Sequence, residues 1–103
     1  MSSRQNSVEE AIAAIACGGM VVVADHPERE NEGDLIIAAD KITSEQVAFL
    51  VRHTSGIICV PLLGDRLDQL RLPLMVRENS ESYRTAFTVS VDLLGHGCTT
   101  GIS

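Results

Sequence analysis

Aromatic side chains are nearly missing from this chain, which has two Phe, one Tyr and no Trp in 103 residues. Any core must therefore be aliphatic, and the stacking platforms that hold single-stranded nucleic acid are absent. Positive charge is also scarce. Eight Lys and Arg stand against fourteen Asp and Glu, a formal net charge of −6, which excludes a surface built to grip a phosphate backbone. Cysteine is sparse and unpaired. Cys17, Cys59 and Cys98 are odd in number and far apart, with no C-x-x-C spacing, so neither a zinc site nor a disulfide framework is indicated. Each reads as a small buried hydrophobe, Cys17 most clearly, and the chain as a reduced, cytoplasmic one. No apolar run approaches the length that crosses a bilayer, and the polar start Met1-Ser2-Ser3-Arg4-Gln5-Asn6 lacks a signal peptide's apolar segment. Internal repeats, low-complexity tracts and domain linkers are absent too.

What is present is one small domain's worth of chain, 45% hydrophobic, too apolar for disorder. Ser7-Val8-Glu9-Glu10 has the pattern of a capping box, and Val8, Ile12 and Ile15 follow at helical spacing until Gly18-Gly19. Residues 20–24 read as a buried strand and residues 35–39 as a second one. Thr43-Ser44-Glu45-Gln46 caps another helix, with Val47, Leu50 and Val51 on one face. Ile57-Ile58-Cys59-Val60 reads as a third buried strand closed by Pro61, and Asp65 to Leu70 as a short helix stopped before Pro73. Residues 74–84 read as loop. Thr85 to Asp92 alternates polar and apolar and predicts a half-buried strand. The interleaving places the chain among α/β or α+β folds. The expected fold is α+β, a mixed β-sheet covered by helices in three-layer α/β/α fashion. The ending Gly97-Cys98-Thr99-Thr100-Gly101-Ile102-Ser103 is a glycine- and hydroxyl-rich turn of the kind that holds phosphate or sugar oxygens. No closing helix follows it, so the domain is expected to be incomplete.

The densest chemistry lies in Asp25-His26-Pro27-Glu28-Arg29-Glu30-Asn31-Glu32-Gly33-Asp34. Five acids against one arginine concentrate most of the chain's net negative charge in ten residues. Many acidic loops after strands are simply solvated. Here, however, Glu30, Glu32 and Asp34 alternate, and an extended backbone would aim all three at one side. That would converge the hard oxygen ligands that Mg²⁺, Mn²⁺ or Ca²⁺ prefers. Arg29 can neutralise a carboxylate or bind a phosphate bidentately. Gly33 allows a ligand to approach the backbone closely.

In order along the chain, Arg29-Glu30-Asn31-Glu32-Gly33-Asp34-Leu35, Arg52-His53-Thr54-Ser55-Gly56-Ile57-Ile58-Cys59, Leu72-Pro73-Leu74-Met75, Thr85 to Asp92 and Thr99-Thr100-Gly101-Ile102-Ser103 resemble the 3,4-dihydroxy-2-butanone-4-phosphate synthase family of riboflavin biosynthesis. The resemblance runs from about residue 7 to the end, with residues 1–103 matching the N-terminal part of one such domain. It implies a lyase reaction in which D-ribulose 5-phosphate is converted to 3,4-dihydroxy-2-butanone 4-phosphate, with C4 lost as formate. It also implies Mg²⁺ or Mn²⁺, no organic cofactor, and a homodimer with sites at the subunit interface. Position by position, it makes Glu30 a metal ligand and Arg29, Asp34 and Glu30 contacts to the sugar phosphate. Asp25 becomes a further acid lining the substrate site, Asp34 or Glu32 the proton-transfer group, Cys59 a thiol near the chemistry, and Thr100 a threonine beside the substrate.

The chain departs from the family pattern in two places. His26 stands where the family usually carries an acid; it is taken as a tolerated loop residue, whose protonated form would soften the repulsion among its neighbours. The family also continues into an Asp-Arg segment, an Arg-Pro-Gly-His stretch with the second metal ligand, and a catalytic Glu, none of which lies in these residues. His53, at a helix C-terminus, and His96, in a loop, have no metal-ligand partner at useful spacing. Two expectations follow. One is an enzyme of this family, with the 103 residues inactive by themselves. The other is a non-catalytic truncated remnant acting as a dimerisation or cation-binding module.

Overall fold

The computed structural model describes residues 6–54, 56–80 and 85–99. The chain divides into two units, Met1–Val60 and Pro61–Ser103. In the first unit, helix α1 spans Val8–Ala16. Ser7 starts it: its Oγ accepts the Glu10 N–H at 3.1 Å, and acidic Glu9 and Glu10 sit in the first turn, where the helix dipole favours negative charge. Its end is a Schellman motif. Gly18 takes φ +83°, the Gly18 N–H donates to Ile15 O at 3.0 Å, and the Gly19 N–H donates to Ala14 O at 2.8 Å.

The chain then runs into β1 (Val21–Ala24), which pairs antiparallel with β2 (Gly33–Ile36). The register sets Val21 opposite Ile36, Val22 opposite Leu35, Val23 opposite Asp34 and Ala24 opposite Gly33. Helix α2 (Ser44–His53) follows with a complete capping box: Thr43 Oγ1 accepts the Gln46 N–H, and Gln46 Oε1 accepts the Thr43 N–H at 2.9 Å. Gln46 Nε2 also donates to Gly18 O at 3.0 Å, tying the start of α2 to the end of α1. Leu50, on the inner face of α2, is the one buried hydrophobic residue among those described.

The second unit holds α3 (Gly64–Gln69), which has no side-chain cap. It ends on Arg71 in the left-handed region, φ 57°, with the Arg71 N–H on Asp68 O and the Leu72 N–H on Leu67 O. A single antiparallel bridge joins Leu74 to Thr88, flanked by the Met75 N–H on Phe87 O at 2.9 Å and the Val89 N–H on Pro73 O at 3.0 Å.

The α+β class is the one observed, and the three expected helices are present. The strands differ. The sheet of the described residues is a two-stranded antiparallel one, and β2 begins two residues before the expected second strand. Residues 57–60 form no strand, and residues 85–92 contribute only the Thr88 bridge. A strand exists only where a neighbour completes its ladder, and no ladder pairing among the described residues involves 57–60. Nor are the strands buried: Val22 is 69% exposed and Val23 is exposed as well. Cys17, Cys59 and Cys98 are all exposed rather than buried. No helix among the described residues is long and apolar enough to cross a membrane.

Candidate functional site

The antiparallel pairing of β1 and β2 makes the acidic stretch a hairpin loop. Residues 25–32 connect the two strands, and the Asp25 N–H donates to Glu32 O at 3.2 Å, closing the loop at its base. Three features then fold it. The Arg29 N–H turns back onto His26 O at 2.9 Å. Asn31 takes φ 53°, a left-handed conformation that Asn tolerates better than most residues. The Asp25 carboxylate accepts the Glu32 N–H at Oδ1 (2.8 Å), and at Oδ2 the Glu30 N–H (2.9 Å) and Arg29 Nη1 (3.0 Å). Arg29 Nη1 also lies 3.0 Å from Glu30 Oε1, so one guanidinium nitrogen bridges two carboxylates.

This arrangement offsets the charge of two of the five nearby acids, Asp25 and Glu30. The Glu32 and then the Glu30 backbone N–H hold the Asp25 carboxyl below its ordinary pKa. Partial desolvation opposes them, and the Arg29 guanidinium adds to the lowering. His26, expected as a tolerated loop residue, helps shape the turn: its Nδ1 accepts the Glu28 N–H at 3.1 Å.

The alternation of Glu30, Glu32 and Asp34 does not give a row of converging ligands. Glu30 lies in a turn and Asn31 is left-handed, so the extended path begins only at β2. Asp34, paired with Val23, is exposed on the strand. Among the described residues, no hydrogen bond or ion pair engages the side chain of Glu32 or Asp34, and no three His, Cys, Asp or Glu side chains gather to hold a metal. The donor chemistry nevertheless suits a hard cation. Mg²⁺ characteristically uses one or two carboxylates and keeps several waters. Glu30 supplies such a carboxylate, with one oxygen steadied by Arg29.

The sequence profile described as 3,4-dihydroxy-2-butanone 4-phosphate synthase matches residues 9–103. The chain belongs to this synthase family. It is 56% identical over 96 residues to the synthase of Agrobacterium fabrum, covering 93% of this chain and 45% of the relative. It is 54% identical over 97 residues to the synthase of Schizosaccharomyces pombe, covering 94% and 47%. The crystal structure of a 3,4-dihydroxy-2-butanone 4-phosphate synthase in complex with two magnesium ions superposes with a TM-score of 0.89 at 52% identity, over 96% of this chain and 46% of that one. A cation-free form of such a synthase gives 0.82 at 49% identity, over 97% and 45%. The chain thus spans about half the length of these relatives.

Of the residues that the family pattern singles out, the hairpin brings together Asp25, Arg29 and Glu30 by direct contact, with Glu32 joined through its backbone. Asp34 follows on β2. Cys59 lies outside this cluster. It is exposed in the irregular segment after α2, with Sγ 3.8 Å from Ile57 O. Thr100 lies outside the described residues. His53 ends α2 with its ring 4.6 Å from that of Phe49, and His96 sits at φ 54° in a turn closed by the Cys98 N–H on Gly95 O. Neither joins the synthase-family motif. What the sequence reading missed is the double backbone clamp on Asp25. An Asp at a strand end, five and seven residues before the N–H groups it accepts, was the available signal, but the spacing alone does not show the loop folding back.

Proposed function

We propose that residues 1–103 are the N-terminal part of a synthase domain converting D-ribulose 5-phosphate to 3,4-dihydroxy-2-butanone 4-phosphate and formate, and that the 25–34 hairpin supplies one side of its site. The observation that carries this reading is the Arg29–Asp34 motif of the family standing in an ordered loop, with its arginine and first glutamate already paired. In this reading Glu30 holds Mg²⁺ or Mn²⁺, which when bound polarises vicinal sugar oxygens as a Lewis acid. Arg29 presents a planar guanidinium suited to phosphate oxygens. Glu32 and Asp34, whose carboxylates have no protein partner among the described residues, are the groups placed to move protons. Asp34 also contacts the sugar phosphate, while Cys59 and Thr100 lie near the substrate.

The full-length protein is a homodimer in this reading. The exposed apolar side chains of β1, α2 and the second unit are contact surface for the rest of the domain and for the second subunit. Its unpaired cysteines accord with a reducing cytoplasm. The 103 residues alone are expected to bind Mg²⁺ weakly and to release no formate.

The test joins residues 9–103 to the second half of the Agrobacterium fabrum synthase, in place of the matched segment. The expected result is formate release from ribulose 5-phosphate in Mg²⁺, none in EDTA, and a loss on the order of 100-fold or more in Glu30→Gln, the scale of a lost Lewis acid. A folded chimera that leaves ribulose 5-phosphate unchanged, beside an active parent synthase, would overturn the reading and favour the remnant.

A further inference from the structure

The family pattern makes Asp25 one more acid lining the substrate site, yet both of its carboxylate oxygens are already committed to the protein. Oδ1 takes the Glu32 N–H and Oδ2 takes the Glu30 N–H together with Arg29 Nη1. Its own N–H binds Glu32 O, so residues 25 and 32 are joined through both backbone and side chain. Its side chain is 23% exposed, less than half the exposure of Arg29. A carboxylate serving a ligand directly would keep an oxygen towards solvent; this one faces into the loop.

We propose that Asp25 is a positioning residue: its carboxylate is the template on which loop 26–32 folds, setting the backbone at Glu30 and Glu32 and the head of Arg29, without itself binding the sugar phosphate. The consequence for the site is geometric. A residue's N–H and side chain leave the same Cα, so fixing the N–H of Glu30 and Glu32 restricts where their carboxylates can go. The Arg29 bridge then holds one Glu30 oxygen. Such a shell holds reacting groups in place before any ligand arrives. What is being positioned, a metal ligand and a phosphate-binding arginine, rests on the function proposed above; the templating of the loop does not.

The experiment compares ¹H–¹⁵N spectra and amide exchange of the chimera with those of its Asp25→Asn variant. Asparagine keeps the shape but puts an NH₂ where one carboxylate oxygen accepted, so one of the two N–H groups meets a donor and the two-point clamp is broken. The expected result is slow exchange at the Glu30 and Glu32 amides. In Asp25→Asn both signals move towards unstructured positions and exchange at least about tenfold faster with solvent, while α1 and α2 signals stay in place. If the variant disturbs the helices as well, the unsubstituted chimera decides, since bonded Glu30 and Glu32 amides must exchange more slowly than unbonded amides of the same loop.

Glu30 and Glu32 amides that exchange as fast as unbonded loop amides would overturn the proposal, as would amides that keep their shifts and exchange rates in a folded Asp25→Asn chimera. In the chimera, a positioning role lowers kcat/KM and Mg²⁺ affinity together, whereas a bare substrate contact raises KM alone with the loop amides unmoved. An inactive but folded chimera with protected Glu30 and Glu32 amides would refute the function and leave the template standing.

Discussion

Two residues end helices in the same way with different side chains, and the comparison isolates the cost of backbone handedness. Gly18 and Arg71 each occupy the position after a helix, at φ +83° and 57°, inside the same pair of turn hydrogen bonds. A Cβ on Gly18 would meet only Lys41 carbons at 3.6 and 3.8 Å, ordinary contact distances. Gly18→Ala should therefore pay for handedness alone, about 1–2 kcal/mol of lost stability. Arg71→Gly should gain part of that, roughly 0.5 kcal/mol once the glycine's extra freedom in the unfolded chain is offset. Urea midpoints of the two variants, moving in opposite directions, would check both. Gly18 was legible as a helix stop because glycine advertises the conformation. Arg71, Asn31 and His96 were not, because their side chains carry no such mark. The Asp25 clamp was hidden for a related reason: a residue's type tells which bonds it can make, and the fold of the loop decides which it does.

At the scale of elements, helices were easier to read than strands, and the physics explains the difference. The ends of α1 and α2 are specified by neighbours in sequence, Ser7 with Glu10 and Thr43 with Gln46. Thr43→Ala should cost about 1 kcal/mol, seen as a lower urea midpoint by circular dichroism. Gln46→Ala should cost more, because the same side chain also holds Gly18 O. Strands depend on partners that local pattern does not reveal. The apolar runs at 20–24 and 35–39 did mark a pair, but the register drew β2 back to Gly33–Ile36 so that Gly33 could face Ala24. A Cβ at Gly33 would lie 3.4 Å from Val22 Cγ1, an ordinary contact with an exposed side chain. The run at 57–60 is likewise apolar but has no ladder partner among the described residues, and it stays irregular.

Taken whole, the described residues carry far more apolar surface than they cover. Leu50 alone falls to 8% exposure, whereas Leu63, Ile57 and Leu94 stand at 82%, 78% and 95%. Apolar patches on this scale mark surfaces that other protein covers, in keeping with relatives about twice as long. The acidic motif identifies the family from sequence because its chemistry is local to ten residues; whatever a second half contributes to the site is not. The central claim is that this motif serves the family's carbon-losing reaction. The most direct measurement follows ribulose 5-phosphate labelled with ¹³C at C4, turned over by the chimera in Mg²⁺, by ¹³C NMR. The label is predicted to appear in formate, with an unlabelled four-carbon phosphate beside it. Label that stays in a phosphorylated product, or substrate that persists while the parent synthase consumes it, would contradict the account.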